Sequence, residues 1–343
     1  MVEERSKEFY RGMVKMVGKK KLALILSLLI VGGSLAGCSG EKDEKLKIGI
    51  NQFVQHDALD ASREGFIEGL KEKGYEDGKN ITIDYKNAQG EIGTAQTISQ
   101  QFAGDKKDLI LAIATPSAQS AYNETKEIPI VFTAVTDPVI AEIANDWKSS
   151  GTNVTGVSDM VPVDKQLELL NKLIPNIKVI GVIYNTSEAN SRVQVDELKK
   201  QAAIFNLEVK EIGVTNVNEI NQNLTASISD IDVLYAPTDN TIASAYELVT
   251  DIALKNNVPI LGAEEAIVSK GGLCSIGIDY FKLGKETAYK AVEVIEGKKP
   301  SEVEITTLSD MEITINTEAA EKLNIKIPDD INTKAKKVTG GVN

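Results

Sequence analysis

One segment that occurs twice constrains the fold of this chain more than any other feature. Each copy contains an apolar run, a polar turn with a proline, a helical pattern with Ser-Ala-Tyr, and a second apolar run opening with Ile-Pro-Ile or Val-Pro-Ile. The copies span residues 109–132 and 233–262. An apolar run followed by a polar turn and a helix is typical of a buried parallel strand. Two copies predict two similar lobes.

The rest of the chain continues the alternation of strand and helix patterns, which predicts an α/β fold with parallel sheets covered on both faces. Four strands are predicted in the first half of the chain, at residues 47–52, 81–85, 109–114 and 128–134. Four more are predicted in the second half, at residues 178–185, 207–212, 231–236 and 258–262. We expect a first lobe of residues 46–157 plus 279–303 and a second lobe of residues 158–278 plus 304–338. Three crossings between the lobes would form a hinge. Residues from Thr333 onward are expected to be frayed.

The amino terminus carries the pattern of an export signal. Lysines up to Lys21 precede an apolar stretch from Leu22 to Val31, and small residues lead to Leu-Ala-Gly-Cys ending at Cys38. The apolar stretch is shorter than the roughly 20 residues that a membrane span needs. Leu-Ala-Gly-Cys resembles the lipobox of bacterial lipoproteins, which implies a signal peptide of residues 1–37, a lipid on Cys38 and a tether of residues 38–45. The alternative is an N-terminal anchor helix.

Composition argues against several classes of function. A net charge of −12 with no basic patch in the body of the chain disfavours a nucleic-acid partner. A single histidine, His56, and two cysteines exclude most His/Cys metal sites, and no cofactor is expected. The sequence has no Gly-x-Ser-x-Gly, no phosphate-binding loop and no dinucleotide-binding glycine pattern, so an enzyme is disfavoured.

The turns at the carboxyl ends of the predicted strands are the candidate binding site, because open α/β sheets bind ligands there. The helix start at Ser117 suits a carboxylate, although Ser117 and Asp239 could equally be simple helix caps. Phe53 could be a core residue or a stacking platform, and His56 is placed at the rim of the pocket. The candidate residues are Gln52, Phe53, Thr115, Ser117, Ala118, Thr136, Asp159, Tyr184, Asn185, Ser187, Asp239, Asn240 and Glu264.

The chain resembles the substrate-binding lipoproteins of bacterial ABC transporters that have the type I periplasmic-binding fold. Within them it looks most like the family that includes tryptophan- and tyrosine-uptake proteins. The segments that carry this resemblance are 48–52, 56–60, 65–66, 114–119, 132–138, 277–280 and 283–284. The resemblance implies two Rossmann-like, flavodoxin-like lobes joined by a three-strand hinge. It also implies an amino-acid ligand, an ABC permease and ATPase as partners, and a lipid-anchored position outside the cell membrane.

The resemblance also implies roles for individual residues. The ligand carboxylate would contact Ser117, Ala118 and Thr136, and the ammonium would contact Asp239. Further candidates on the second lobe and near the hinge are Asn185, Ser187, Asp159 and Glu264. We expect an aromatic amino acid, with a branched-chain amino acid, a sugar or a nucleoside as alternative ligands. Ligand sensing without transport is the alternative function.

Overall fold

The computed structural model describes residues 45–342. The predicted signal peptide, Cys38 and nearly all of the tether lie outside these residues. The strands are β1 (Leu46–Gln52), β2 (Ile81–Asn87), β3 (Leu109–Ile113), β4 (Ile130–Thr133), β5 (Val154–Ser158), β6 (Val179–Asn185), β7 (Glu208–Val214), β8 (Val233–Ala236), β9 (Ile260–Gly262), β10 (Cys274–Gly277), β11 (Thr306–Thr307), β12 (Glu312–Asn316) and β13 (Lys336–Val338).

The helices alternate with these strands through most of the described chain. They are α1 (Asp57–Glu72), α2 (Ile92–Gly104), α3 (Thr115–Glu124), α4 (Val163–Leu173), α5 (Ala189–Ile204), α6 (Ile220–Ser227), α7 (Asn240–Ala243), α8 (Tyr246–Lys255), α9 (Glu265–Ser269), α10 (Tyr280–Ile295), α11 (Thr317–Lys322) and α12 (Asp329–Asn332).

The first lobe is built on a parallel sheet with the strand order β11-β5-β4-β3-β1-β2. All five residues of β3 are buried, as its unbroken apolar run predicts for a strand covered on both faces. The second lobe has the order β13-β12-β10-β9-β8-β6-β7, and β12 is antiparallel to β10. The order of β7-β6-β8-β9-β10 repeats that of β2-β1-β3-β4-β5, which confirms two flavodoxin-like lobes.

Three segments connect the lobes: β5 to α4, β10 to α10, and β11 to β12. The second of them returns α10 to the first lobe, where it packs against α1. A Cβ atom on Gly284 would lie 1.9 Å from the Ser62 carbonyl oxygen, and one on Gly65 would lie 2.0 Å from that of Phe281. The two helix backbones therefore touch at positions where only glycine fits.

The structure differs from the sequence-based expectation in three places. Strand β11 pairs with β5 through Thr306 and Val157, so the first sheet extends past the expected boundary at residue 303. The tail is not frayed within the described residues, because Lys336–Val338 pairs with β12. The helical pattern in the second copy of the repeated segment forms two helices, α7 and α8, because Ala245 between them has a φ of −128°, which leaves the helical region.

Candidate functional site

The carboxyl ends of both sheets meet at a cleft that contains a small polar cavity. Its volume is about 10 Å³, enough for one water molecule. The first lobe contributes the turns after β1 and β4, and the second contributes the turns after β6, β8 and β9. The lining residues are His56, Leu59, Ala134, Asp159, Asn190, Thr238, Asp239, Asn240, Ala243, Glu264 and Tyr280.

The two lobes are in direct contact beside this cavity. The Thr136 and Thr238 hydroxyl oxygens, one from each lobe, are 3.2 Å apart. The Gln194 amide nitrogen donates to the Thr238 hydroxyl at 2.5 Å, which holds that side chain in place. A larger cleft of about 670 Å³ lies on the Thr136 side, and a cavity of about 170 Å³ borders His56. The lobes are therefore in contact, and three separate spaces lie around this contact.

Two buried carboxylates near the hinge dominate the electrostatics of the cavity. Asp159 accepts hydrogen bonds from the Thr136 hydroxyl at 2.9 Å and from the Tyr280 hydroxyl at 3.0 Å. Glu264 accepts a hydrogen bond from Tyr246. The Tyr280 hydroxyl also acts on the pKa of Glu264, so it stands between the two carboxylates. Among residues 45–342, no cationic side chain contributes to the environment of either carboxylate.

Burial raises the pKa of Asp159 to about 6 and that of Glu264 to about 7. Hydrogen bonds from the hydroxyls oppose these shifts but are weaker than the loss of hydration. A buried carboxylate without a cation favours its protonated form. The pair is therefore a site to which a cation would bind favourably.

Asp239 also lines the cavity, but its carboxylate is already well coordinated. One oxygen accepts from the Ile242 backbone N–H at 2.9 Å, which caps α7, and the other accepts from the Asn185 N–H and the Ser191 hydroxyl, both at 2.6 Å. Burial and the nearby Glu188 raise the pKa of Asp239. The helix-cap alternative for Asp239 is confirmed, and its contact with an ammonium stays a prediction.

Several buried polar atoms at the mouth of the sheets lack a hydrogen-bond partner among the described residues. They include both ring nitrogens of His56, the Asn190 amide oxygen and the Thr115 hydroxyl. Unpaired buried polar atoms are rare in proteins and each costs about 1–3 kcal/mol. His56 and Asn190 line the small cavity, so these atoms mark positions for a further hydrogen-bonding group.

Backbone strain occurs at the ends of two neighbouring strands of the first lobe. Ala114 precedes α3 with φ 78° and ψ 156°, and Ala134 follows β4 with φ 56°. The region that Ala114 occupies is almost restricted to glycine. Strain of this kind is found preferentially at ligand-binding sites, and Ala134 lines the small cavity.

The structure brings together only some of the predicted site residues. Asp159, Asp239, Asn240 and Glu264 line the small cavity, and Thr136 bonds to Asp159 at its edge. The remaining candidates stay predictions, since their side chains lie elsewhere or have other partners. They are Gln52, which bonds Asp60; Phe53, in the first hydrophobic core; Ser117, which donates to Asn51; Thr115 and Ala118, buried at the start of α3; Tyr184, which donates to Glu211; Asn185, which donates to Thr241; and Ser187, which is exposed.

Besides His56, which was expected at the rim, three polar cavity residues and the apolar Leu59, Ala134 and Ala243 were not among the sequence candidates. Tyr280 begins α10 at a hinge crossing, Asn190 lies in the first turn of α5, and Thr238 precedes Asp239. Tyr280 lies in the segment 277–280 and Thr238 in the turn 237–240. Both segments follow a strand, and this position could have identified them as parts of the site. Asn190 carried no comparable signal because it lies within a helix.

The raised pKa values predict that the ligand-free protein gains stability as the pH falls from about 8 to about 6.5. Over this range the folded state takes up protons at Glu264, Asp239 and Asp159, whereas the carboxyl groups of the unfolded chain, with ordinary pKa values, do not. Part of this gain is offset near pH 6.5, where His56 begins to take up a proton in the unfolded chain but not in the folded state. We expect the free energy of unfolding in urea to rise by about 1 kcal/mol. At lower pH His56 opposes this gain, because burial lowers its pKa to about 4. A Glu264→Gln variant should flatten the rise, and an unchanged profile would contradict the role of Glu264.

No helix in residues 45–342 is long and apolar enough to cross a membrane. The same part of the chain contains no group of three or more His, Cys, Asp or Glu side chains arranged to hold a metal ion.

Comparison with known proteins shows strong similarity over nearly the whole described chain. A tyrosine-binding protein of Clostridioides difficile is 46% identical over 321 residues, covering 90% of this chain and 93% of that protein. The structure of an ABC domain from Streptococcus pneumonia in complex with L-Trp is 39% identical with a TM-score of 0.84, covering 86% of this chain and 100% of that one.

A third relative is more similar to this chain in sequence than in conformation. The ligand-free, open structure of a substrate-binding protein with adhesive properties from Clostridium difficile is 48% identical, yet its TM-score is only 0.67, over 86% of this chain and 99% of that one. The present structure thus superposes better on the L-Trp complex, although its sequence is closer to the open protein. This agrees with the direct contact between Thr136 and Thr238.

The sequence model of one family, described as ABC transporter substrate binding protein, matches residues 47–339. This family is one of binding proteins rather than a class of enzymes. The match includes both sheets and all three connections between the lobes. The chain therefore belongs to the substrate-binding protein family of ABC transporters, with the type I periplasmic-binding fold.

Proposed function

We propose that this protein is the extracytoplasmic receptor of an ABC importer and binds a free aromatic amino acid between its lobes. It would be held at the membrane by a lipid on Cys38 and would deliver its ligand to a permease driven by an ATPase. The observation that carries the amino-acid assignment is the buried pair of carboxylates, Asp159 and Glu264, which have no cationic partner among the described residues.

The ligand ammonium would bind between these carboxylates. An ammonium group has three N–H donors. Asp159 and Glu264 supply charged acceptors, and the unpaired amide oxygen of Asn190 supplies a third. Hydrogen bonds between charged groups are about twice as strong as those between neutral ones, and burial strengthens them further. We therefore propose Asp159 and Glu264 as the main ammonium contacts instead of Asp239, because the Asp239 oxygens already accept three hydrogen bonds.

The ligand carboxylate would bind at the start of α3 in the first lobe. The first-turn N–H groups of a helix have no acceptor within the helix and carry a partial positive charge. Thr115 adds a buried hydroxyl without a partner, and the strained Ala114 fixes the approach to the helix. Ser117 would contribute its backbone N–H, because its hydroxyl already donates to Asn51 at 3.2 Å. The Ala118 N–H already donates to the Ala114 carbonyl at 3.1 Å, so Ala118 would only line this end of the site. The Thr136 hydroxyl, which donates to Asp159 at 2.9 Å in this structure, would complete the contact by turning to the ligand.

An aromatic side chain is supported by the relatives. One is named for tyrosine and another is solved with L-Trp, at 46% and 39% identity respectively. An amino acid is much larger than a cavity of about 10 Å³, so the lobes must part at the Thr136–Thr238 contact for the ligand to enter. Closure then needs only better contacts with the ligand in the shut state than in the open one.

A thermal-shift panel on the chain lacking residues 1–38 tests this function. We expect L-tyrosine, L-tryptophan or L-phenylalanine to raise the melting temperature more than any other amino acid, sugar or nucleoside, because ligands that bind only the folded state stabilise it. The matched control is 3-(4-hydroxyphenyl)propionate, which is tyrosine without its amino group and should give little shift. A panel in which no amino acid raises the melting temperature would overturn the assignment. Uptake of labelled ligand in cells with and without the gene tests delivery separately.

A further inference from the structure

His56 has a position and a hydrogen-bonding capacity that the proposed ammonium and carboxylate contacts do not use. It lies in the turn between β1 and α1 and lines both the cavity of about 10 Å³ and the neighbouring cavity of about 170 Å³. It precedes α1 as the N-cap residue, yet its side chain makes no capping hydrogen bond. Helix capping therefore does not explain this side chain.

The His56 ring is neutral at physiological pH. Burial lowers its pKa to about 4, against the opposing effects of Asn240, Asp60 and Asp57. A neutral imidazole carries one N–H donor and one acceptor nitrogen. Both nitrogens are buried. Neither makes a hydrogen bond of normal geometry among residues 45–342, and the Asn240 side chain is close enough to interact weakly with the ring. The ring can therefore either accept a proton from a ligand or donate one to it in a hydrogen bond.

The charges around His56 make it a poor contact for either charged end of an amino acid. The stronger acceptors for an ammonium are Asp159 and Glu264, on the hinge side of the small cavity. A carboxylate at His56 would lie near Asp57 and Asp60, whose charges act on the ring, and the nearby cations Lys270 and Arg63 are each already paired with one of these aspartates, at 3.9 and 2.8 Å. A neutral polar group on the ligand side chain avoids both conflicts.

The space next to His56 suits a side chain. The cavity of about 170 Å³ is lined on one part by three alanines and a tyrosine of the second lobe, which provide flat, apolar contacts for an aromatic ring, and elsewhere by polar and charged side chains that include Asp57, Glu247 and Lys270. These residues are Ala243, Ala245, Ala266 and Tyr246. A ring placed here would bring its polar group, such as a phenol O–H or an indole N–H, close to the His56 imidazole.

We infer that His56 is the specificity-determining residue of the site, hydrogen-bonding the phenol O–H of tyrosine or the indole N–H of tryptophan through its acceptor nitrogen. This inference rests on the proposed function. Phenylalanine has no such group and would leave the buried acceptor nitrogen of His56 unpaired. Sites that hydrogen-bond a ligand group reject analogues that lack it, because the polar group of the protein is then left buried and unpaired.

Titration calorimetry with L-tyrosine, L-tryptophan and L-phenylalanine tests the inference on three proteins. These are the unmodified protein, His56→Leu, and the control Gln96→Ala on α2, whose side chain is exposed and lines none of these cavities. Gln55, the neighbour of His56 in sequence, is unsuitable as a control because it lines the cavity of about 170 Å³ itself. We expect the unmodified protein to prefer tyrosine or tryptophan over phenylalanine by about tenfold or more. His56→Leu should abolish this preference while the affinity for phenylalanine changes little, and Gln96→Ala should keep the preference.

The outcomes separate this inference from the proposed function. If His56→Leu weakens all three ligands equally, His56 contacts a group they share and the specificity role is wrong, while amino-acid binding stands. If the unmodified protein does not discriminate against phenylalanine, the inference is likewise overturned. If no amino acid binds the unmodified protein, the proposed function is wrong, and the inference about His56 that rests on it is overturned as well. A melting curve checks that His56→Leu is folded, and His56→Asn, which keeps a donor and an acceptor, should retain part of the preference.

Discussion

Replacing Glu264 by glutamine is expected to weaken binding of L-tyrosine by about 100-fold, because loss of one partner from a buried charge pair costs about 2–5 kcal/mol. The substitution keeps the size of the side chain and its contact with Tyr246, so it removes charge and little else. Asp159→Asn should act in the same direction. Calorimetry at a pH near 8, where both carboxylates are ionised, gives the affinities.

The control for these variants is the ligand without an amino group. 3-(4-Hydroxyphenyl)propionate should bind weakly to the unmodified protein and no more weakly to Glu264→Gln, because it has no ammonium to lose. Stability without ligand should be unchanged or raised, since burying an unpaired charge is unfavourable. Equal losses for tyrosine and its des-amino analogue would show that Glu264 does not bind the ammonium.

Replacing Asp239 by alanine is expected to lower the free energy of unfolding by about 3 kcal/mol, because it leaves three buried donors without an acceptor. These donors are the backbone N–H groups of Asn185 and Ile242 and the Ser191 hydroxyl. Urea unfolding of the ligand-free protein measures the loss.

A second N-cap aspartate provides the matched control. Asp279 caps α10 by accepting from the Lys282 N–H at 3.0 Å, and its side chain is exposed. Asp279→Ala should cost only about 1 kcal/mol, as exposed caps do. If Asp239→Ala instead keeps its stability and loses tyrosine but not the des-amino analogue, the main ammonium contact is Asp239, as the sequence resemblance implies.

The repeated segment explains why the fold could be predicted so closely. Strands such as β3 and β8 are short apolar runs between polar turns, and their burial follows from pattern alone. The short polar edge strands β11 and β13 have no such pattern, because their pairing depends on the neighbouring strand and not on apolar side chains. The lobe boundary at residue 304 and the expected frayed tail were missed for this reason.

The site was harder to predict, because the direction of a polar side chain depends on residues far away in sequence. Ser117 lies at the expected helix start, but its hydroxyl donates to Asn51, which is 66 residues earlier. Asp159 and Tyr280 meet at the hinge although 121 residues separate them. Position at a strand end identified the right turns, whereas the partner of each side chain was visible only in three dimensions.

The close contact between α1 and α10 has a consequence for the order in which the two lobes can fold as the chain emerges from its amino terminus. The first lobe needs Gly284 against Ser62, and its sheet needs Thr306 against Val157, so it cannot be completed until those late residues have emerged. Most of the second sheet, by contrast, comes from one uninterrupted stretch, β6 to β10. The first lobe therefore begins earlier in the chain than the second but is completed later. Until then its apolar surface is exposed and needs protection from aggregation.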